Sequence, residues 1–114
     1  MTRSAQEVVE AHLAAVAQGD LATILKDYRD DVVIVTPQGA LEGHAGVEAF
    51  FTQALTALPE LKLSVKSVVY TGDVGLLQWT ATSTAGRVND GVDTYVLEEG
   101  AIKFETATFT VEPA

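Results

Sequence analysis

The chain has 114 residues, 47% of them hydrophobic, which fits one domain spanning residues 1–114 around a single core. Sixteen acidic against seven basic residues give a net charge of −9, so the surface repels phosphate backbones and anionic headgroups, and nucleic acid is not an expected partner. Cysteine is absent, which removes disulfides and thiol chemistry, and the two histidines lack metal-ligand spacing, so neither a metal nor a cofactor is expected.

The start, MTRSAQEVVEAH, carries Glu7, Glu10 and His12 where a secretion signal needs an unbroken apolar run. No later stretch is apolar enough to span a bilayer, so a cytoplasmic location without membrane contact is expected. SAQE is a capping box in which the Ser4 side chain meets the amide of Glu7 while Glu7 reaches back. The helix that follows has an apolar stripe of Ala5, Val8, Val9, His12, Ala15 and Val16, and Gly19 stops it. Asp20 then caps a second, short helix carrying Leu21, Ile24 and Leu25. Val32 to Val35 read as a buried strand that runs into Thr36, Pro37 and Gly39. HAGVEAFFTQALTALP is a third helix, with Val47, Phe50, Phe51, Ala54, Leu55 and Leu58 on one side and Pro59 at its end. Everything beyond reads as strand: LKLSV, a turn in VYTGDVG, then LLQWTATST, VDTYVL and IKFETATFTV, with turns at Asn89-Asp90-Gly91 and Glu98-Glu99-Gly100.

The order α-α-β-α-β-β-β-β implies an α+β fold, with three N-terminal helices packed on one face of an antiparallel sheet that would enclose a pocket if strongly curved, the cone that the resemblance below also implies. The stretch VVEAHLAAVAQGDLATILKDYRDDVVIVTPQGALEGHAGVEAFF, with GD between the first helices and DDVV entering the first strand, resembles the opening of the nuclear transport factor 2-like superfamily. VDTYVLEEGAIKF is similar to that superfamily's late hairpin. The nearest small relatives by this resemblance are ketosteroid isomerase and the SnoaL-type polyketide cyclases, which act on apolar ring systems. In ketosteroid isomerase an aspartate base moves a proton while a tyrosine and a protonated aspartate hold the developing enolate oxygen. Laid on that pattern, the base falls at Thr36, the tyrosine at His12 and the protonated acid at Asp93.

A threonine hydroxyl is not ionised near neutral pH, so Thr36 does not replace a carboxylate base. It reads either as a β-branched strand end before Pro37 or as a hydroxyl lining the cavity. His12 shares the inward stripe of the first helix; it is either a core histidine with one internal partner or a general acid or hydrogen-bond donor to a carbonyl, a role suited by a pKa near neutrality. Asp93 sits in a strand of Val, Thr, Tyr and Leu, a place aspartate disfavours. Facing an apolar cavity, desolvation raises its pKa and makes it a base near neutral pH or a protonated donor; facing outward, it is only solvated. Alternation puts Asp93, Tyr95 and Leu97 on one face. His12 and Asp93 are therefore the catalytic candidates, and Thr36, Tyr28, Phe51, Trp79 and Tyr95 the candidate substrate wall. Asp30 and Asp31 point to opposite faces and form no dyad, and His44 meets loop backbone or solvent.

Two functions follow from these residues and the resemblance. The first is a cofactor-independent isomerase, cyclase or dehydratase-like enzyme moving a proton on a hydrophobic cyclic or carbonyl-bearing molecule. The second is a non-catalytic ligand-binding or dimerisation module of the same fold. The resemblance also implies a homodimer through the outer sheet face, where Thr94, Val96, Thr106, Thr108 and Thr110 present β-branched surface.

Overall fold

A computed structural model describes residues 2–114. Helix α1 spans Ala5–Gln18, and both halves of the capping box are formed at its start. Gly19 closes it in the left-handed region, at φ 66°, where a side chain would be strained. Asp20 turns the chain into α2 (Leu21–Leu25) by accepting the amide of Thr23. Strand β1 (Tyr28–Thr36) folds back on a short strand β2 (Gly39–Glu42), and α3 (Gly43–Ala57) follows. Strands β3 (Lys62–Thr71), β4 (Val74–Thr82), β5 (Gly86–Glu98), β6 (Ala101–Thr108) and the two-residue β7 (Glu112–Pro113) complete the chain.

One sheet holds all the strands, in the order β2-β1-β6-β5-β4-β3, with β7 on β5. Its ladders are antiparallel except where β1 runs parallel to β6. The three helices cover one face: α1 lies against β3, β4 and β5, and α3 against β1. The apolar stripe of α1 is buried throughout, His12 included, and Val8, Val9, Val32, Ile34 and Val47 are fully enclosed. Burial of this kind contributes roughly 1.5–3 kcal/mol per large aliphatic side chain.

The α+β architecture expected from the sequence is present, with three local differences. Asn89-Asp90-Gly91 is not a turn; it lies inside β5, where the register against β4 shifts between Trp79 and Ala81. The glycine is needed for approach rather than reversal, because a Cβ at position 91 would stand 2.2 Å from the indole of Trp79. Asp90 instead accepts the amide of Thr110, and the reversal between β4 and β5 falls at Ser83 to Ala85. The TPQG segment makes the extra hairpin of β1 and β2. The last long strand stops at Thr108, so Phe109 leaves the ladder.

Candidate active site

Row by row, the register of the sheet assembles an inner polar cluster. Tyr95 on β5 pairs directly with Glu105 on β6, and Asp93 is two residues along β5, opposite Ala107. All three polar side chains are buried. Asp93 accepts two hydrogen bonds, from Trp79 Nε1 at 3.2 Å and from the Tyr95 hydroxyl at 3.0 Å. Tyr28, at the start of β1, donates its hydroxyl to Glu105 Oε1 at 2.5 Å. Each carboxyl thus has its own phenol.

His12 descends from α1 into this cluster and is boxed by aromatic rings, at 5.5 Å from Tyr28, 5.6 Å from Phe51 and 5.4 Å from Tyr95. Its Nδ1 is buried without a hydrogen-bond partner. Burial lowers its pKa from 6.5 to about 4, so the imidazole is neutral at pH 7. The near-neutral pKa expected from the sequence is therefore overturned: among the described residues no acidic group is hydrogen-bonded to the ring, and desolvation stands unopposed. A neutral imidazole still offers one N–H donor.

Asp93 moves the other way. Burial raises its pKa from 3.8 to about 6, with the bonds from Trp79 and Tyr95 holding it down from a higher value. Glu105 is pushed well above the usual carboxylate range by burial and by the charge on Asp93. Tyr28 and Tyr95 are held neutral, by burial first and by the neighbouring carboxyl groups second. At pH 7 Asp93 is largely a carboxylate, held between the neutral donors Trp79 and Tyr95.

A cavity of about 50 Å³ opens onto this cluster, lined by His12, Asp93, Tyr95, Trp79, Phe51 and the aliphatic side chains around them. Four of the residues expected at the site therefore share its wall with Phe51. Tyr28 does not line it; its hydroxyl is committed to Glu105 behind the cavity. Thr36 lies in the wall of a separate outer groove of about 410 Å³. Its hydroxyl donates to the Gly39 carbonyl at 3.1 Å and accepts the Gln38 amide at 3.2 Å, so it braces the β1–β2 turn. Asp31 pairs with Arg29 and Lys103, and the His44 ring bonds the Tyr28 carbonyl, both apart from the cavity. Among the described residues no group of three or more His, Cys, Asp or Glu side chains is placed to hold a metal ion, and no helix is long and apolar enough to cross a membrane.

Glu105 was not among the residues singled out from the sequence. It follows Ile102 and Phe104, and simple alternation from those two apolar residues turns it outward. A register irregularity between Val96 and Leu97 shifts the phase of β6, so that Phe104 faces out and Glu105 faces in. No local signal marks that irregularity.

Helices packed on one face of a single sheet give this chain the fold of nuclear transport factor 2-like proteins of solved structure. The chain belongs to the SnoaL-like domain family, which matches residues 9–105. No curated protein sequence matches it. Among solved structures it is similar to AclR from Streptomyces galilaeus, a candidate hydroxylase, at 20% identity and a TM-score of 0.81 over 93% of this chain and 88% of that one. TerC, co-crystallised with polyporic acid, matches at 23% identity and a TM-score of 0.77 over 93% and 91% of the two chains. A candidate ketosteroid isomerase from Kribbella flavida DSM 17836 matches at 16% identity and a TM-score of 0.79 over 93% and 77%. At these identities the likeness carries the fold.

Proposed function

We propose that the protein binds a small hydrophobic molecule bearing a carbonyl group and moves a proton on it, with Asp93 as the base and His12 as the donor to the carbonyl oxygen. The observation that carries this reading is a carboxylate with a pKa of about 6 in the wall of an otherwise apolar cavity, beside a buried neutral imidazole. A base whose pKa lies near working pH combines ionisation with proton affinity. In the step, Asp93 removes a proton from the carbon next to the carbonyl, and the C–H electrons move into the enolate. The His12 N–H holds the enolate oxygen, and the proton returns to the same or a conjugated carbon. Isomerisation needs no more than this; cyclisation or dehydration starts from the same enolate. Trp79 and Tyr95 keep Asp93 oriented, and Glu105, held by Tyr28, lies behind it.

Ketosteroids, taken from the name of one structural relative, are the first probes. The test is exchange of carbonyl-adjacent protons for deuterium, followed by NMR in heavy water. Protein-accelerated exchange that rises with pH through about 6 and is lost in a folded Asp93→Asn variant supports the reading. Binding without accelerated exchange assigns the chain to the non-catalytic alternative, a ligand-binding module.

We infer further that two copies pair through the outer sheet face. One row across that face reads Val69, Leu76, Thr94, Thr106 and Val35, set side by side by the ladders, and it holds no charge on a chain of net charge −9. Val69 is 63% exposed and Leu76 42%, more than a lone monomer needs to leave open. Sedimentation expects a dimer at micromolar concentration that Leu76→Glu dissociates; a monomer in the wild type refutes the pairing.

A further inference from the structure

Two hollows meet at one pair of rings. The inner cavity and the outer groove share Phe50, Ala54 and Phe109 in their walls. Phe109 stands edge-on to Phe50 at 6.3 Å and tilted against Trp79 at 5.4 Å, closing the inner cavity from the groove side. It is also the first residue past the end of β6, and the chain is pinned again one residue later, where the Thr110 amide donates to Asp90. Its backbone is thus outside the β6 ladder while its neighbours are held.

We propose that the inner cavity and the outer groove are two halves of one binding site divided by the Phe109 ring, which turns aside to admit an elongated, uncharged carbonyl compound of two or more rings. The carbonyl end sits at His12 and Asp93, and the ring system lies in the groove; the placement of the carbonyl end rests on the function proposed above. Size requires the division. A cavity of about 150 Å³ is known to accommodate benzene, and the inner cavity, at about 50 Å³, admits little more than the carbonyl and its nearest atoms. The groove, at about 410 Å³, falls in the range of small-molecule sites. Its chemistry selects the ligand class. Thr36, Pro37, Leu41 and Ala57 line it without a charged side chain, on a protein of net charge −9, while Gln38 and Gln53 offer neutral amides at the rim. A charged ring system would find no counter-charge there.

The test uses 2-acetylnaphthalene, a neutral two-ring ketone, with Kd from calorimetry and association rates from the fluorescence of Trp79, the single tryptophan of the chain. Ala57→Phe projects a ring into the groove from an exposed helix position and is expected to weaken binding at least tenfold. Phe109→Ala is expected to raise the association rate at least fivefold, with Phe109→Leu giving a smaller rise should the alanine variant unfold. Unchanged affinity in Ala57→Phe, unchanged rates in both Phe109 variants, or no binding to the wild type would each overturn the proposal. His12→Phe separates the two readings. If it binds as well as the wild type while Ala57→Phe does not, the groove stands and the carbonyl seat at His12 falls. If His12→Phe weakens binding and Ala57→Phe does not, the groove alone falls.

Discussion

Replacing Asp93 with asparagine changes how stability depends on pH more than it changes stability itself. The folded protein holds Asp93 at a pKa of about 6 against 3.8 in an ordinary setting, so between those values the folded state binds a proton that the unfolded chain has released. Stability therefore falls as pH rises through this window, and it is fully present below the unfolded value. At about 1.4 kcal/mol per pKa unit the contribution is about 3 kcal/mol in full, of which roughly 2 kcal/mol is expressed between pH 4 and pH 7. His12 opposes it. Its pKa, lowered from 6.5 to about 4, means that the unfolded chain takes up a proton the folded protein refuses, and stability is lost as pH falls through that range. In the wild type the two slopes nearly cancel. Asp93→Asn removes one of them, so its stability relative to the wild type should drop by about 2–3 kcal/mol on going from pH 7 to pH 4. Urea unfolding at four pH values between these limits, followed by circular dichroism, gives the difference directly. A gap between variant and wild type that stays constant within about 0.5 kcal/mol would refute the assignment of Asp93 as a buried, titrating carboxylate.

The other predictions concern single contacts. His12→Phe leaves only the Asp93 slope and should lose about 3 kcal/mol less than the wild type as pH falls from 6.5 to 4, measured by the same unfolding series. Thr36→Val removes the hydroxyl that braces the β1–β2 turn and should cost about 1 kcal/mol of stability in the same unfolding series; unchanged stability would refute the bracing role. Gly91→Ala forces a methyl against the Trp79 indole and should destabilise by roughly 1–3 kcal/mol, with a shift in Trp79 emission that marks the displaced ring.

Much of this protein is written in local pattern. The Ser4 capping box, the Gly19 stop and the 3.6-residue stripe through His12 each depend on neighbours within a few positions, and each is realised in the structure. The inward face shared by Asp93, Tyr95 and Leu97 is likewise a property of one strand's alternation. What local pattern could not reach was set by pairing between distant strands. The register shift opposite Trp79 turned Asn89-Asp90-Gly91 from a turn into a strand irregularity, and the one at Val96 and Leu97 brought Glu105 inward beside Tyr95. Thr36 looked like a vacant base position until the return of β2 placed the Gly39 carbonyl within reach of its hydroxyl. The charge state of the cluster belongs to the same class: whether His12 is neutral and Asp93 poised near pH 6 is decided by desolvation, which exists only once helix, sheet and aromatic rings have closed over them. The sequence by itself determined the helices with their caps and apolar stripes, the family resemblance and the shared inward face of Asp93, Tyr95 and Leu97; the tertiary structure decided the β1–β2 return, the strand register that turns Glu105 inward, burial and protonation, because those depend on contacts between segments far apart in the chain.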